Sequence, residues 1–281
     1  MRCLPQTPER FVINGVALDT DRTAAGSGVT FCFTERIGGV SQEPFTSLNL
    51  GLKGGDDPAC VAENRRRVLE ALGAADLLDR LVLPQQVHGD EVVVISDAAA
   101  PLPLALEEGA DAVVCTVADL PVMLLFADCV PVVLVAPGAF AVAHSGWRGT
   151  LAGIAGKTAQ VLAFAAGCGI DAVSAYIGPH ISAEAYEVST ELLAQFEERF
   201  GVCALGERDR HLCLEACVRA SLREAGVPNN QIVDAGLCTA SCTDRFFSHR
   251  AEHGRTGRHG AVAFMRACKG NSISTITNGE E

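Results

Sequence analysis

Residues 111–144 constrain the fold more than any other stretch. They hold four short apolar segments, 111–116, 121–126, 130–135 and 139–144, parted by Asp, Pro and Gly. Each has the length of a buried strand and is shorter than an ordinary helix. Asp119, Asp128, Pro121, Pro131 and Pro137 interrupt the region, so it never reaches the roughly 18 unbroken apolar residues of a membrane span. Strands clustered in mid-chain, without a helix between each pair, argue against a plain doubly wound sheet and for a layered α/β sandwich.

The flanks supply the other layers. V-T-F-C-F-T (29–34) alternates as a strand does. Asp56 or Asp57 with Pro58 opens a helix over 58–73, with Val61, Val68, Leu69 and Leu72 inward and Arg65, Arg66 and Arg67 largely outward. Residues 81–88 and 91–95 read as two strands joined at a Gly89-Asp90 turn. A long Ala-rich helix is expected from Gly149 or Thr150 to about 166. Strands follow at 172–179, 231–234 and 261–266, and helices at 183–200 and 211–225. Residues 1–28 read as an N-terminal tail with room for a hairpin, 29–268 as a single catalytic domain, and 269–281 as a C-terminal tail.

Composition narrows the partners. Net charge is −12, which disfavours nucleic acid or an anionic membrane surface as the main partner. A small anion needs only one or two local arginines and stays open. No charged start followed by an apolar core marks the N-terminus, so a cytoplasmic location is expected. Under that expectation most of the twelve cysteines should be small buried thiols, as Cys32, Cys115 and Cys268 appear beside apolar runs.

Three residues bear chemistry at segment ends: His88 in L-P-Q-Q-V-H-G-D, Cys129 after Asp128, and His144 before S-G-W-R-G-T. Two imidazoles and a thiol suit a three-ligand metal site with an open position, and equally a Cys/His nucleophile pair. G-W-R-G-T places Arg148 beside a helix start, where an anion can sit. Arg36, Arg255 and Arg258 lie in glycine-flanked turns, which let a guanidinium and the backbone approach a phosphate together. Cys213 with Cys217 and Cys238 with Cys242 have a spacing that packing explains better than a zinc knot does.

Together these stretches resemble one family. They are T-E-R-I-G-G-V-S, S-L-N-L-G, G-D-D-P with N-R-R-R-V, L-P-Q-Q-V-H-G-D, A-D-A-V-V-C, A-D-C-V-P-V-V-L, A-V-A-H-S-G-W-R-G-T, I-G-P-H-I with Y-E-V, and D-R-F-F-S-H-R with T-G-R. The family is the multicopper polyphenol oxidoreductase (laccase-domain) family, also described as a purine nucleoside phosphorylase family. The resemblance covers roughly residues 29–266. It implies an α+β fold, a single-domain layered α/β/β/α sandwich with mixed sheets.

The resemblance further implies metal ligands at His88, Cys129 and His144, usually for zinc, with copper as the older reading. Implied activities are phosphorolysis of adenosine, inosine and methylthioadenosine, and deamination of adenosine. The implied partners are a small nucleoside and phosphate. On this reading Arg36, Arg148 and Arg258 are candidates for phosphate, and Asn49 and Gln86 for base or sugar. Two positions depart from the family pattern: His180 stands where Cys is more frequent and His249 where Tyr is usual.

Three alternatives stay beside this one. They are a metal-free Cys/His amidohydrolase editing a peptidoglycan precursor, a copper polyphenol oxidase, and a metal-binding module without activity. Seven histidines are few for a multicopper centre.

Overall fold

The computed structural model describes residues 4–267. Eleven strands run in chain order: β1 (Glu9–Ile13), β2 (Val16–Thr20), β3 (Val29–Thr34), β4 (Val92–Ile95), β5 (Ala112–Cys115), β6 (Val122–Phe126), β7 (Val130–Ala136), β8 (Ala139–Ser145), β9 (Ser174–Ile177), β10 (Ile232–Asp234) and β11 (His259–Met265). The α-helices are α1 (Pro58–Ala71), α2 (Ala105–Glu108), α3 (Trp147–Leu151), α4 (Ile154–Ala165), α5 (Thr190–Phe200) and α6 (Leu214–Glu224).

The strands form two sheets. One is five-stranded and antiparallel in the order β1-β2-β3-β11-β6. The other is six-stranded and mixed, β10-β9-β7-β8-β5-β4, with parallel pairs only at its two edges. Phe31, Phe33, Val113, Val133, Phe140 and Tyr176 fill the space between the sheets. Residues of α1 cover the outer face of the five-stranded sheet through Val68 and Leu69. Residues of α4, α5 and α6 cover the six-stranded sheet through Ile154, Leu162, Phe196 and Val218. The result is the α/β/β/α sandwich. Because β5, β7 and β8 are covered on both faces, every residue in them is buried, which explains their unbroken apolar sequence. Among the described residues no helix is long and apolar enough to cross a membrane.

Several elements differ from the sequence expectation. Residues 9–20 form the hairpin that the sequence allowed for, and its second strand pairs with β3, so this part of the expected tail belongs to the sheet. Residues 81–88 are not a strand. Only Val82 bridges, to Val122, and Pro84 has no N–H to give a ladder. The Gln86 amide does the work of a strand neighbour instead, donating to Leu125 O and accepting from Leu125 N, each at 2.8 Å. The expected long helix is two, broken where Gly153 adopts φ +78°. Of the described cysteines only Cys32, Cys115 and Cys217 are buried, so the expectation of mostly buried thiols does not hold. Cys268 and the expected tail 269–281 lie outside the described residues.

Candidate metal centre and its cavity

Strand register builds the centre. β8 lies between β7 and β5. Val130 pairs with Ser145, so the preceding Cys129 emerges beside Gly146 and next to His144. Ala112 pairs with Ala143, so Asp111 emerges opposite His144, and His144 N donates to Asp111 O at 2.7 Å. The third donor, His88, comes from the loop before β4. Its ligating atom and those of Cys129 and His144 all lie within 4.8 Å of one another. Among the described residues this is the one cluster of three or more such donors.

A fourth residue holds the three in place. The Asp111 carboxylate, fully buried, accepts from His144 Nδ1 at 2.7 Å, Val87 N at 3.1 Å, His88 N at 3.0 Å and Gly89 N at 2.7 Å. Three successive N–H groups around one anion form a nest, and His88 takes φ +61° within it. The bond to Nδ1 leaves Nε2 as the imidazole's ligating nitrogen. One carboxylate therefore orients both histidines. Burial raises the Asp111 pKa, but the His144 hydrogen bond and charge outweigh it and hold it low.

The donors fit a metal. Burial alone would raise the Cys129 thiol, yet His144 and then His88 beside it bring it down to about 6. Burial would lower His144, but Cys129 and Asp111 raise it to about 9. A thiolate against a cationic imidazole is the state a divalent cation displaces a proton from. Space is kept free as well. A Cβ on Gly146 would lie 3.1 Å from His88 Cδ2, 3.3 Å from Cys129 Sγ and 3.6 Å from His144 Cε1. Any side chain at 146 would crowd His88 and Cys129 and touch His144.

The centre opens into a cavity of about 1050 Å³, at the upper end of the range of about 300–1,000 Å³ for ligand pockets. His88, Cys129 and His144 line it, as do Asn49, Gln86 and Arg258. Arg258 lies within electrostatic reach of Cys129 and donates through Nη1 to Thr256 O and Gly257 O. Asn49 and Gln86 have committed amides. Asn49 donates to Gly51 O and Asp56 Oδ2 and accepts from Gly51 N and Arg258 N. Gln86 is engaged with Leu125 as above. Both shape the cavity wall more than they offer hydrogen bonds to a ligand.

Two expected phosphate residues are elsewhere. Arg36 donates to Thr46 O, Thr243 O and Glu252 Oε1 and lies over the Phe247 ring, tying two loops together. Arg148 is exposed in the first turn of α3, with its guanidinium over the Trp147 ring at 4.2 Å. Neither lines the cavity. Of the two departures from the family pattern, His249 lines the cavity; His180 is buried away from it, its Nδ1 against Gly178 O. Asp128 is not in a strand. At φ +88° it accepts from Thr239 Oγ1 and Arg250 N.

Asp111, Lys53, Arg65, Tyr186 and Arg250 are site residues that sequence reading did not single out. Lys53 left no signal; Arg65, Tyr186 and Arg250 lie inside the quoted motif stretches without a local mark of their place, and Asp111 is a carboxylate directly before four buried strand residues.

The fold is thus a two-sheet sandwich that sets a His-Cys-His cluster beside the ends of its inner strands. Residues 30–266 match the family model described as multi-copper polyphenol oxidoreductase laccase, and the chain belongs to that family. Its relatives carry a different kind of name. A purine nucleoside phosphorylase of Xylella fastidiosa (strain Temecula1) is 37% identical over 249 residues, covering 85% of this chain and 93% of the relative. Another, of Deinococcus radiodurans, is 38% identical over 244 residues, covering 85% and 90%. The crystal structure of YlmD from Geobacillus stearothermophilus superposes with a TM-score of 0.82 at 31% identity, over 94% of this chain and all of that one.

Proposed function

We propose that this protein is a zinc-dependent purine nucleoside phosphorylase acting on adenosine, inosine and methylthioadenosine, with adenosine deamination as a second activity. The carrying observation is the convergence of His88, Cys129 and His144 on the floor of a cavity that also presents Arg258. The names of the relatives support the phosphorylase part. A thiolate with two imidazoles suits zinc, which needs no redox partner and tolerates an open fourth position. His88, Cys129 and His144 would hold it, and bound there it would supply Lewis acidity and an activated water for attack at purine C6.

The chain's own groups account for the rest. In phosphorolysis a phosphate oxygen attacks C1′ as the purine leaves. Arg258 binds the phosphate and offsets its charge, a guanidinium matching two phosphate oxygens at once. Asn49, through Arg258 N, fixes the segment that presents it. Cavity walls built from Leu83, Leu106 and Leu125 exclude water from the sugar.

A phosphate-dependent nucleoside panel on purified protein tests this. Free base and ribose 1-phosphate should appear from inosine only with phosphate present. Loss of both to a chelator and recovery with zinc are also expected; activity that survives complete demetallation would overturn the reading.

One observation favours a second reading. Asp111, His144 and Cys129 are arranged as orienter, base and nucleophile, the order a metal-free amidohydrolase needs. A peptidoglycan-precursor amide would then be the substrate, and the demetallated protein would cleave it at full rate.

A further inference from the structure

The cavity's charge exceeds what a neutral nucleoside and one phosphate require. Five cations line it, Lys53, Arg65, Arg250, Arg255 and Arg258, against two carboxylates, Glu107 and Asp128. This stands out in a chain of net charge −12. Among the described residues none of the five cations forms an ion pair with a carboxylate. Asp128 is already engaged by Thr239 and by the backbone of Arg250.

Four of the cations belong to one cluster. Arg65 Nε and Nη2 donate to Leu50 O at 3.0 and 2.7 Å. Leu50 N in turn donates to Arg258 O at 2.9 Å, and Arg258 N to Asn49 Oδ1 at 2.8 Å. Arg258 packs so closely that a Cβ on Gly51 would lie 2.9 Å from its Cγ. Arg65 and Arg258 are thus fixed on the same three residues, 49–51. Lys53 follows on that loop. Arg255 precedes Arg258 on the segment whose Thr256 O lies 3.6 Å from a Cβ position on Gly54. Burial holds both Arg65 and Arg258 below the ordinary guanidinium pKa; Cys129, Asp128 and Glu252 offset this only in part for Arg258, so both charges are partly stripped of water without a directly paired anion. Such an arrangement is costly unless a ligand supplies the anion.

The proposed phosphorolysis uses one dianion, and Arg258, near Cys129, serves it. Lys53, Arg65 and Arg255 remain. We propose that these three form a site for a phosphomonoester at the 5′ position, so that the cavity takes purine nucleoside 5′-phosphates in preference to free nucleosides. This rests on the phosphorylase reading for its chemistry. A phosphate oxygen bonds to C1′, and the C1′–N9 bond breaks. Its electron pair leaves with the purine, which takes up a proton. The products are free base and ribose 1,5-bisphosphate, with the 5′ ester untouched.

Calorimetric titration of the full chain with inosine and with inosine 5′-monophosphate tests the site. The monophosphate should bind about tenfold tighter or more. K53A/R255A, in which both changes are at exposed positions, should remove most of that advantage by raising the monophosphate's dissociation constant far more than that of inosine. Equal or weaker binding of the monophosphate, or an advantage that K53A/R255A leaves intact, would overturn the proposal. So would complete loss of the advantage to one bound equivalent of inorganic phosphate, which would mean that the cluster holds the attacking phosphate alone. Base release from inosine and phosphate is measured in parallel. Release without a monophosphate advantage refutes this site and leaves the phosphorylase standing; an advantage without release refutes the phosphorylase and leaves the site.

Discussion

At the scale of single residues, the candidate centre is braced by a side chain outside its three donors. Asp111 accepts four hydrogen bonds, one from the ring of His144 and three from the backbone around His88. Replacing it by Asn keeps one carbonyl oxygen but turns an NH₂ toward N–H donors, so at least one buried donor loses its acceptor. The ring of His144 and the loop of His88 should both loosen. Removing such a supporting partner typically weakens metal binding about 10–100-fold. Asp111→Asn should therefore bind zinc correspondingly more weakly, as read by competition with a chromophoric chelator, while its circular dichroism stays that of the parent. Zinc affinity within twofold of the parent would mean that the strands alone position the ligands.

At the scale of elements, two contacts show how packing overrides local preference. Gly156 lies in α4 against α6: its N–H donates to Ser221 Oγ at 3.1 Å, and a Cβ there would lie 2.4 Å from Ser221 O. Helix propensity alone predicts that Gly156→Ala gains about 1 kcal/mol. Overpacking costs about 1–3 kcal/mol and here involves a backbone oxygen that cannot step aside. A net loss of stability is expected on urea denaturation; a gain would show that the helices separate freely.

The hairpin β1–β2 supplies the other contact. Asp19 in β2 and Glu35 are both nearly inaccessible, and Arg245 bridges them. Burial raises Asp19 to about 6, against the lowering effect of Arg245. The folded protein therefore holds this proton where the unfolded chain, near pH 4, has released it. Stability contributed here falls as pH rises from about 4 to about 6 and stays lost above. Asp19→Asn removes the titration. The stability of Asp19→Asn relative to the parent should rise across that window, by at most about 3 kcal/mol. A pH-independent difference between the two denaturation series would place the titration elsewhere.

These same contacts mark what could be read from the sequence. The four central strands were legible because strands covered on both faces must be apolar throughout. Cys129 and His144 were legible as candidates because each stands at the edge of such a run, and His88 because it stands in L-P-Q-Q-V-H-G-D. Residues 81–88 were misread because L-V-L-P-Q-Q-V has a strand's composition, whereas its backbone partners include a carboxylate 22 to 24 residues away. The arginines could not be told apart for a related reason. Glycine-flanked turns describe Arg36 and Arg258 alike, and only tertiary contacts decide that one braces loops while the other faces the cavity. Asp56 and Asn64 lie in the G-D-D-P and N-R-R-R-V stretches, but nothing local shows that they brace the loop beside Arg258.

At the scale of the whole molecule, a metal on His88, Cys129 and His144 would clasp a loop of one sheet to the other, across sheets that already share a core. Cys129 directly precedes β7 and His144 lies in the neighbouring β8, both in the six-stranded sheet. His88 comes from a loop whose preceding residues, through Val82 and Gln86, seal the edge of β6 in the other sheet. A metal bound by all three would tie that loop to the six-stranded sheet, adding to the core of Phe31, Phe33, Val133 and Phe140 that already joins the two sheets. Binding that requires the folded chain stabilises it by about 4 kcal/mol when free metal is a thousandfold above its dissociation constant. For a chain of this size each kcal/mol moves Tm by about 2–4 °C. Stripping the metal should lower Tm by roughly 8–16 °C by this arithmetic, and zinc should restore it. Cys129→Ser should melt near the stripped value and respond little to zinc. Scanning calorimetry on stripped, reloaded and Cys129→Ser protein checks this: a Tm that ignores the metal in the parent chain would mean that the sandwich closes without the clasp, and that the three ligands serve chemistry alone.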